Sequence, residues 1–516
     1  MAGTHSDITD KIVPLKRIGE EAAAARSEGR TVVLCHGTFD LLHAGHMRHF
    51  QSARDLGDML IVTVTSDHHV MKGPGRPVFP DVLRAEMVAS QGYVDWVGIV
   101  DERSAVSAIE AIKPDYYVKG ADYRNPEDDI SKKINIEREK VEEFGGSIHF
   151  TDEITFSASS ILNRHFNLVD DSFRDIVEQY RDKGSLNYFM PLIEKVQDLK
   201  VLVLGETIID EYVYVETLGK AAKESIIATQ YRDREVFCGG VVAAANHVSS
   251  FCGQVDLLTT VGKDDPYSTV LKEKLDRKVG VDTIELTDVP TVRKQRYVDR
   301  SYLRKMFEVY YMDDTPLHGA VEEELLQKLD QKLEEVDLVV VTDFGHGMIT
   351  PRVIRMLERR ARFLAINAQT NSGNRGFNLS TKYRRADYLC IDEPEFRLAC
   401  HEKHMPIEEL MATRAHTLLD CHRIVITHGR QGCYVLSTSD PDKLKRIPAL
   451  TGKVVDTIGA GDAFFAITSL FAAVGADDSD LGILGNVAGA MKVNIVGHRA
   501  YIERIKFLKY LETILK

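Results

Sequence analysis

Cysteine is scarce and scattered in this chain. The seven residues, Cys35, Cys238, Cys252, Cys390, Cys400, Cys421 and Cys433, are odd in number and never spaced C-x-x-C. That pattern excludes a disulfide framework and a cysteine zinc site, and it fits free thiols in a reducing compartment. Long apolar runs are also missing. The longest, residues 463–474, follows an aspartate and is too short to span a bilayer, so it reads as a buried helix. Residues 1–10 are polar and hold no apolar core of a signal segment, so the expected location is cytoplasmic. Positive charge is in deficit as well: 65 Lys and Arg face 78 Asp and Glu, for a net charge of −13. An acidic surface does not attract phosphate backbones or anionic lipids, so neither nucleic acid nor a membrane surface is an expected partner. There is no short-period repeat and no low-complexity tract.

What is present is length and alternation. A chain of 516 residues exceeds one ordinary core. Short apolar runs at 31–35, 59–64, 96–100, 116–119 and 147–150 alternate with helical segments, which predicts a parallel sheet covered by helices. A second α/β series starts at residue 200 and has strand candidates at 338–342, 363–366, 388–391 and 424–427. The stretch between reads as a connector. The expected division is therefore 1–164, a helical linker at 165–197, and 198–516.

The densest signal is Cys35-His36-Gly37-Thr38-Phe39-Asp40-Leu41-Leu42-His43-Ala44-Gly45-His46. It sits between a predicted strand and a predicted helix at 47–55. His43 and His46 should lie near a helix N-terminus, where free backbone N–H groups favour an anion. Imidazoles there can donate hydrogen bonds to a polyphosphate as charge moves onto departing pyrophosphate. The alternative is a metal site built from His36, His43, His46, His49, His68 and His69, but no cysteine or carboxylate stands at ligand spacing.

This string resembles the nucleotidyltransferase superfamily with an H-x-G-H signature. With Lys72-Gly73-Pro74-Gly75-Arg76-Pro77-Val78, Tyr93-Val94-Asp95-Trp96-Val97 and Val118-Lys119-Gly120-Ala121-Asp122-Tyr123, it resembles the adenylyltransferase half of bifunctional heptose-phosphate kinase/adenylyltransferases. The resemblance implies a Rossmann-like domain in which Gly37, Thr38, Phe39 and Asp40 bind nucleotide and Lys72 contacts phosphate. It also implies a phosphate-binding motif at Phe156-Ser157-Ala158-Ser159-Ser160, with Ser157, Ser159 and Ser160 on the nucleotide, although this string departs from the family's G-x-S-T-T form.

In the second half, Asp456-Thr457-Ile458-Gly459-Ala460-Gly461-Asp462 precedes a strongly apolar helix. Gly459, Ala460 and Gly461 leave backbone N–H groups uncrowded for a developing phosphoryl charge. Asp462 stands where an acceptor hydroxyl would approach and could take its proton. Taken alone, the same string could simply be a C-cap followed by an N-cap. Together with Cys238-Gly239-Gly240 through Asn246, and Thr427-His428-Gly429-Arg430-Gln431-Gly432, it resembles the ribokinase-like (PfkB) sugar kinases, an α/β fold with a small lid.

That resemblance implies Asp462 as catalytic base, Gly459 to Gly461 as anion hole, Gly429 and Gly432 at the nucleotide, and Asp210, Gly239, Gly240 and Asn246 at the sugar. It further implies Asp392 and Glu395 as the element that organises Mg²⁺, with aspartate where the family has asparagine, and a lid within 211–236 through which such proteins pair as dimers. Where heptose kinases carry aspartate-proline-lysine, residues 365–378 are instead rich in amides and glycine. They read as a polar ligand loop or a surface loop.

The resemblance implies a two-site enzyme: an ATP- and Mg²⁺-dependent sugar or sugar-phosphate kinase, and a transferase that joins a nucleoside monophosphate to the sugar phosphate, for heptose-like envelope glycoconjugates. The order of the halves is reversed relative to the heptose enzymes. The alternatives are a CTP-dependent cytidylyltransferase acting on a polyol phosphate supplied by the kinase half, or a degenerate kinase half serving as a ligand-binding scaffold.

Overall fold

The computed structural model describes residues 8–73, 75–120, 123, 133–151, 171–440, 443–450 and 454–516. Ser157, Ser159 and Ser160 lie outside the described residues. The chain divides into two compact units, Met1–Ser185 together with Ile505–Lys516, and Leu186–Arg504. The expected linker holds two helices, Asp171–Asp182 in the first unit and Leu186–Gln197 in the second.

The first unit is built on five strands: β1 Val32–Gly37, β2 Met59–Thr65, β3 Trp96–Val100, β4 Tyr116–Gly120 and β5 Ser147–Thr151. All pair in parallel in the order β3-β2-β1-β4-β5. β2 is buried along its whole length because helices cover both faces of the sheet. Ile18, Ala22, Leu34 and Ile109 pack on one side, and Phe39, Phe50, Val62 and Val88 on the other. Strand order reverses beside β1, so the crevice at the carboxyl ends of β1 and β4 is where a doubly wound sheet holds ligands. The H-x-G-H loop leaves the end of β1.

The second unit contains two sheets. Its central sheet comprises β6 Lys200–Gly205, β9 Gln254–Gly262, β10 Val279–Leu286, β13 Leu338–Asp343, β14 Leu364–Ala368, β15 Arg385–Asp392, β16 Asp420–Thr427, β17 Cys433–Ser437 and β18 Lys445–Ile447. The order is β10-β9-β6-β13-β14-β15-β16-β17-β18, parallel as far as β16 and antiparallel beyond.

The smaller sheet runs β12-β11-β7-β8, formed by β7 Thr207–Lys220, β8 Ile227–Gly239, β11 Val292–Asp299 and β12 Arg304–Tyr311. The expected lid, 211–236, thus supplies only half of this sheet. β11 and β12 are dense in charge and do not read as apolar strands. β7 is buried over its first nine residues and exposed over its last five, so its far end stands clear of the core.

Candidate functional sites

In the first unit, His43 is the N-cap of helix Ala44–Arg54. Its Nδ1 accepts the Gly45 N–H at 3.1 Å, which leaves the ring proton on Nε2, free to donate outward. The His43 and His46 rings lie 3.9 Å apart between centroids, and Phe39 meets His46 edge-on at 5.4 Å. Phe39 takes a positive φ of 47° to bring its ring under this pair and over Gly37, where a Cβ would fall 3.0 Å from the ring. Burial and then the Lys72 charge hold His43 below the ordinary histidine range, and burial, His43 and Lys72 push His46 down to about 3. Burial and the neighbouring positive charge thus favour the neutral imidazole over the cation at both rings. Burial and the neighbouring Arg76 in turn lower Lys72 to about 8. The structure thus brings His43, His46 and Lys72 within one electrostatic neighbourhood.

Asp40 and Thr38 play a different part. Asp40 is buried, and its carboxylate accepts from Arg76 Nε at 2.5 Å and Val78 N at 2.6 Å, tying the Lys72 loop to the H-x-G-H turn. Thr38 O, Thr65 O and Phe79 O all accept from one fully buried guanidinium, Arg84, which also meets Asp67 Oδ1 at 2.6 Å. No motif marked Arg84. The signal available was an arginine in the middle of an apolar helix pattern.

In the second unit, Gly459 caps helix Ala460–Ala473 in the left-handed conformation, φ 74°. A Cβ there would lie 2.4 Å from His498 Cε1. Helix geometry leaves the N–H groups of Gly461 and Asp462 without a partner one turn back, and nothing crowds Gly461. Asp462 is 8% exposed and accepts from Gln369 Nε2 at 2.6 Å. Burial raises its carboxyl above the usual range, Gln369 pulls it down, and the charge of Asp210 pushes it up.

Asp210 sits on Gly239, whose Cβ would fall 2.2 Å from Oδ2. It is ion-paired with Arg296 on β11 and lies 3.4 Å from His498 Nε2. Burial pushes it up, but Arg296 and His498 more than offset that and leave it below the usual carboxylate range. Lys294, also on β11 and paired in register with Asp210, is buried and feels the charges of both Asp210 and Asp462. Lys492, fully buried, donates to Ile458 O at 2.8 Å and Gly497 O at 2.6 Å and is lowered to about 8 by burial. Asp456, at the head of the motif, accepts from Lys305 Nζ at 2.7 Å, Tyr212 Oη at 3.0 Å and Gly497 N at 2.9 Å. Sequence reading singled out none of Lys294, Arg296, Lys492 and His498.

The amide-rich segment is an inward-facing belt. Asn371 and Asn374 donate to Phe344 O at 2.8 and 3.0 Å, and Asn378 donates to Asp343 O at 2.8 Å. Together they hold Gln369 against Asp462. Glu206, 1% exposed, accepts from the backbone N–H groups of Phe344, His346 and Met348 and so fixes the facing loop. Burial and the nearby Asp343 push Glu206 up to about 7.

Asp392 and Glu395 form the capping box of helix Glu393–Cys400: Glu395 N donates to Asp392 Oδ1 at 2.8 Å, and Asp392 N to Glu395 Oε2 at 3.0 Å. Burial and the Asp392 charge raise Glu395 to about 8, and burial raises Asp392. Glu395 Oε1 also accepts from Thr370 N at 2.8 Å; the pair supplies the hard carboxylate oxygens that Mg²⁺ takes, and as no cluster of three or more possible ligands is found among the described residues, the ion's other positions would fall to water and phosphate. Gly429, at φ 52°, opens the turn after β16, and at Gly432 a Cβ would fall 2.0 Å from Ile447 O. Gly240, φ 53°, starts helix Gly240–Ser249. Asn246 lies two turns along the same helix. Both ends of its amide are engaged by the turn at Lys274 and Asp276, at 2.9 and 2.8 Å.

Comparison with known proteins agrees with this division of labour. Residues 198–503 match the model described as pfkB family carbohydrate kinase, and residues 34–206 match the one described as cytidylyltransferase-like. The bifunctional protein HldE of Trichlorobacter lovleyi is 40% identical over 146 residues, 28% of each chain. HldE of Rhodopseudomonas palustris is 25% identical over 316 residues, 60% of this chain and 63% of that one. The matched region thus spans from about a quarter to less than two thirds of these curated relatives. A ribokinase structure from Thermotoga maritima has 19% identity and a TM-score of 0.47, covering 61% of this chain and 99% of that one. Among the described residues, no helix is long and apolar enough to cross a membrane.

Proposed function

The chain belongs to the pfkB family of carbohydrate kinases, and we propose that it is a bifunctional enzyme of the cytoplasm that makes a nucleotide-activated sugar. The kinase half transfers phosphate from ATP to a sugar or sugar phosphate. The cytidylyltransferase-like half joins a nucleoside monophosphate, from ATP or CTP, to the sugar phosphate and releases pyrophosphate. On this reading residues 1–164 carry the transfer chemistry, 165–197 link the halves, and residues from 198 onward carry the kinase chemistry. HldE-like proteins are bifunctional by name, and a heptose-like acceptor is the corresponding proposal here.

One observation carries this reading: the chain holds both a carboxylate poised at a glycine-lined helix start and, in its other unit, two imidazoles with ring centroids 3.9 Å apart under the influence of one lysine, Lys72. In the kinase step Asp462 accepts the proton of the attacking hydroxyl, the N–H groups around Gly461 meet the developing charge, and Asp210 with Arg296 orients the sugar. Mg²⁺, held by Asp392 and Glu395, would shield the nucleotide phosphates. In the transfer step His43, His46 and Lys72 donate to the α-phosphate and departing pyrophosphate, and the acceptor phosphate attacks in line. The exposed apolar residues of the lid sheet, among them Leu218, Ile227, Tyr231 and Phe307, suit pairing with a second copy.

The test is mass spectrometry of the full chain incubated with a panel of sugars and phosphosugars plus ATP or CTP. Asp462→Asn should abolish phosphorylation by roughly 10²–10⁴-fold and spare nucleotidyl transfer. His46→Ala should do the reverse, by roughly 10²–10³-fold. A polyol phosphate activated by CTP alone would select the cytidylyltransferase reading, and unchanged phosphorylation in Asp462→Asn would sink the catalytic assignment.

A further inference from the structure

The helix Arg504–Leu515 follows the kinase sequence, yet residues Ile505–Lys516 group with the N-terminal unit. Within that unit Tyr510 packs against Gly73. A Cβ at position 73 would fall 1.9 Å from Tyr510 Cδ2 and 2.4 Å from Cγ, so no side chain fits there while the ring stays. Gly73 also has φ +90°, which other residues rarely adopt. Tyr510 is 8% exposed. Lys72, the residue before Gly73, feels the charges of Lys516 and Glu512 from the end of this helix as well as those of Arg76 and Asp40. On its other side Lys72 acts on His43 and His46. The loop is glycine-rich and has no helix or strand of its own from residue 70 to 73, so its position is set by what it packs against.

We propose that Tyr510 is a positioning residue for the nucleotidyl-transfer site: its ring, seated on Gly73, fixes the loop that presents Lys72 to the nucleotide phosphates. The proposal rests on the reading of Lys72 as a phosphate contact. It makes a helix encoded after the kinase sequence a working part of the site encoded before it.

Acetylation of Lys72 by acetic anhydride in the full chain, quantified by peptide mass spectrometry across an ATP or CTP titration, reads this site alone and needs no acceptor sugar. In the native protein nucleotide should protect Lys72. Tyr510→Ala should raise the nucleotide concentration for half-protection by about tenfold or more, and Tyr510→Phe should restore the native value. Because Tyr510→Ala removes a buried ring and can unhinge the helix, Tyr510→Leu is measured beside it and should show the same loss. Lys11, whose Nζ donates to Val94 O at 2.8 Å ahead of the amino end of β3, should keep its native acetylation rate in these variants. Gly73→Ala should weaken protection at least as much as Tyr510→Ala, since it adds backbone strain at φ +90° to the clash with the ring. Native protection in Tyr510→Leu, or equal deprotection of Lys11 and Lys72, overturns the proposal. Failure of both nucleotides to protect Lys72 in the native chain overturns the transferase reading instead.

Discussion

Replacing Gln369 with alanine deletes the amide that donates to Asp462 Oδ1 at 2.6 Å. A hydrogen bond to a charged group is worth about 1.5–3 kcal/mol. If it acts fully in the transition state, its loss lowers kcat/KM by roughly 10- to 150-fold, since each 1.36 kcal/mol is tenfold. The pH dependence has a definite sign. Burial already raises the Asp462 carboxyl and Gln369 pulls it down, so without the amide the proton is held more tightly. The base works deprotonated, and its working fraction is then lost at a higher pH than in the native enzyme. Lys492 and Lys294 remain to favour the anion, so the acid limb moves without vanishing and part of the deficit recovers in alkali. The assay is ADP release from about pH 5.5 to 9.5, with the sugar identified in the panel. Gln369→Glu, which sets a second carboxylate against the first, should be worse than alanine throughout. A Gln369→Ala enzyme with native kcat/KM and a native acid limb would refute the claim that the amide belt tunes the base.

Two further predictions concern stability. Arg84→Leu removes a fully buried cation that serves three carbonyls and Asp67; urea unfolding of the N-terminal unit should show a loss of about 3–5 kcal/mol, and a loss of under about 1 kcal/mol would mean the network is dispensable. Glu206, raised to about 7 against an ordinary 4.5, favours the fold when protonated, so stability should fall as pH rises through about 7 and be fullest below the ordinary value; Glu206→Gln, measured by thermal unfolding, should flatten that dependence.

The alternation of buried strands and helices was legible because each central strand is a short apolar run bounded by turns, as in Met59–Thr65 and Leu338–Asp343. Strands β11 and β12 were not, because their residues are charged on the face that meets the site: Lys294 and Arg296 alternate with partly buried neighbours, a strand pattern without an apolar signature. The glycine motifs were readable since their chemistry is local to the backbone. Gln369, Arg296, Lys492 and His498 reach Asp462 or Asp210 from segments far away in sequence, and spacing carries no trace of that. The amide loop was noticed, but its inward orientation depends on Phe344 and Asp343 being across the sheet edge. Asn246 shows the converse case: a residue in a recognisable string whose amide is consumed by a structural turn.

The N-terminal unit is interrupted in sequence by the whole of Leu186–Arg504. During synthesis its sheet leaves the ribosome before that stretch, and the helix that carries Tyr510 leaves after it. At ~5–20 residues per second, the intervening stretch takes roughly 15–60 s to emerge. For that interval Gly73 has no Tyr510 ring to pack against, so the loop that carries Lys72 settles only after residues 186–504 have been made.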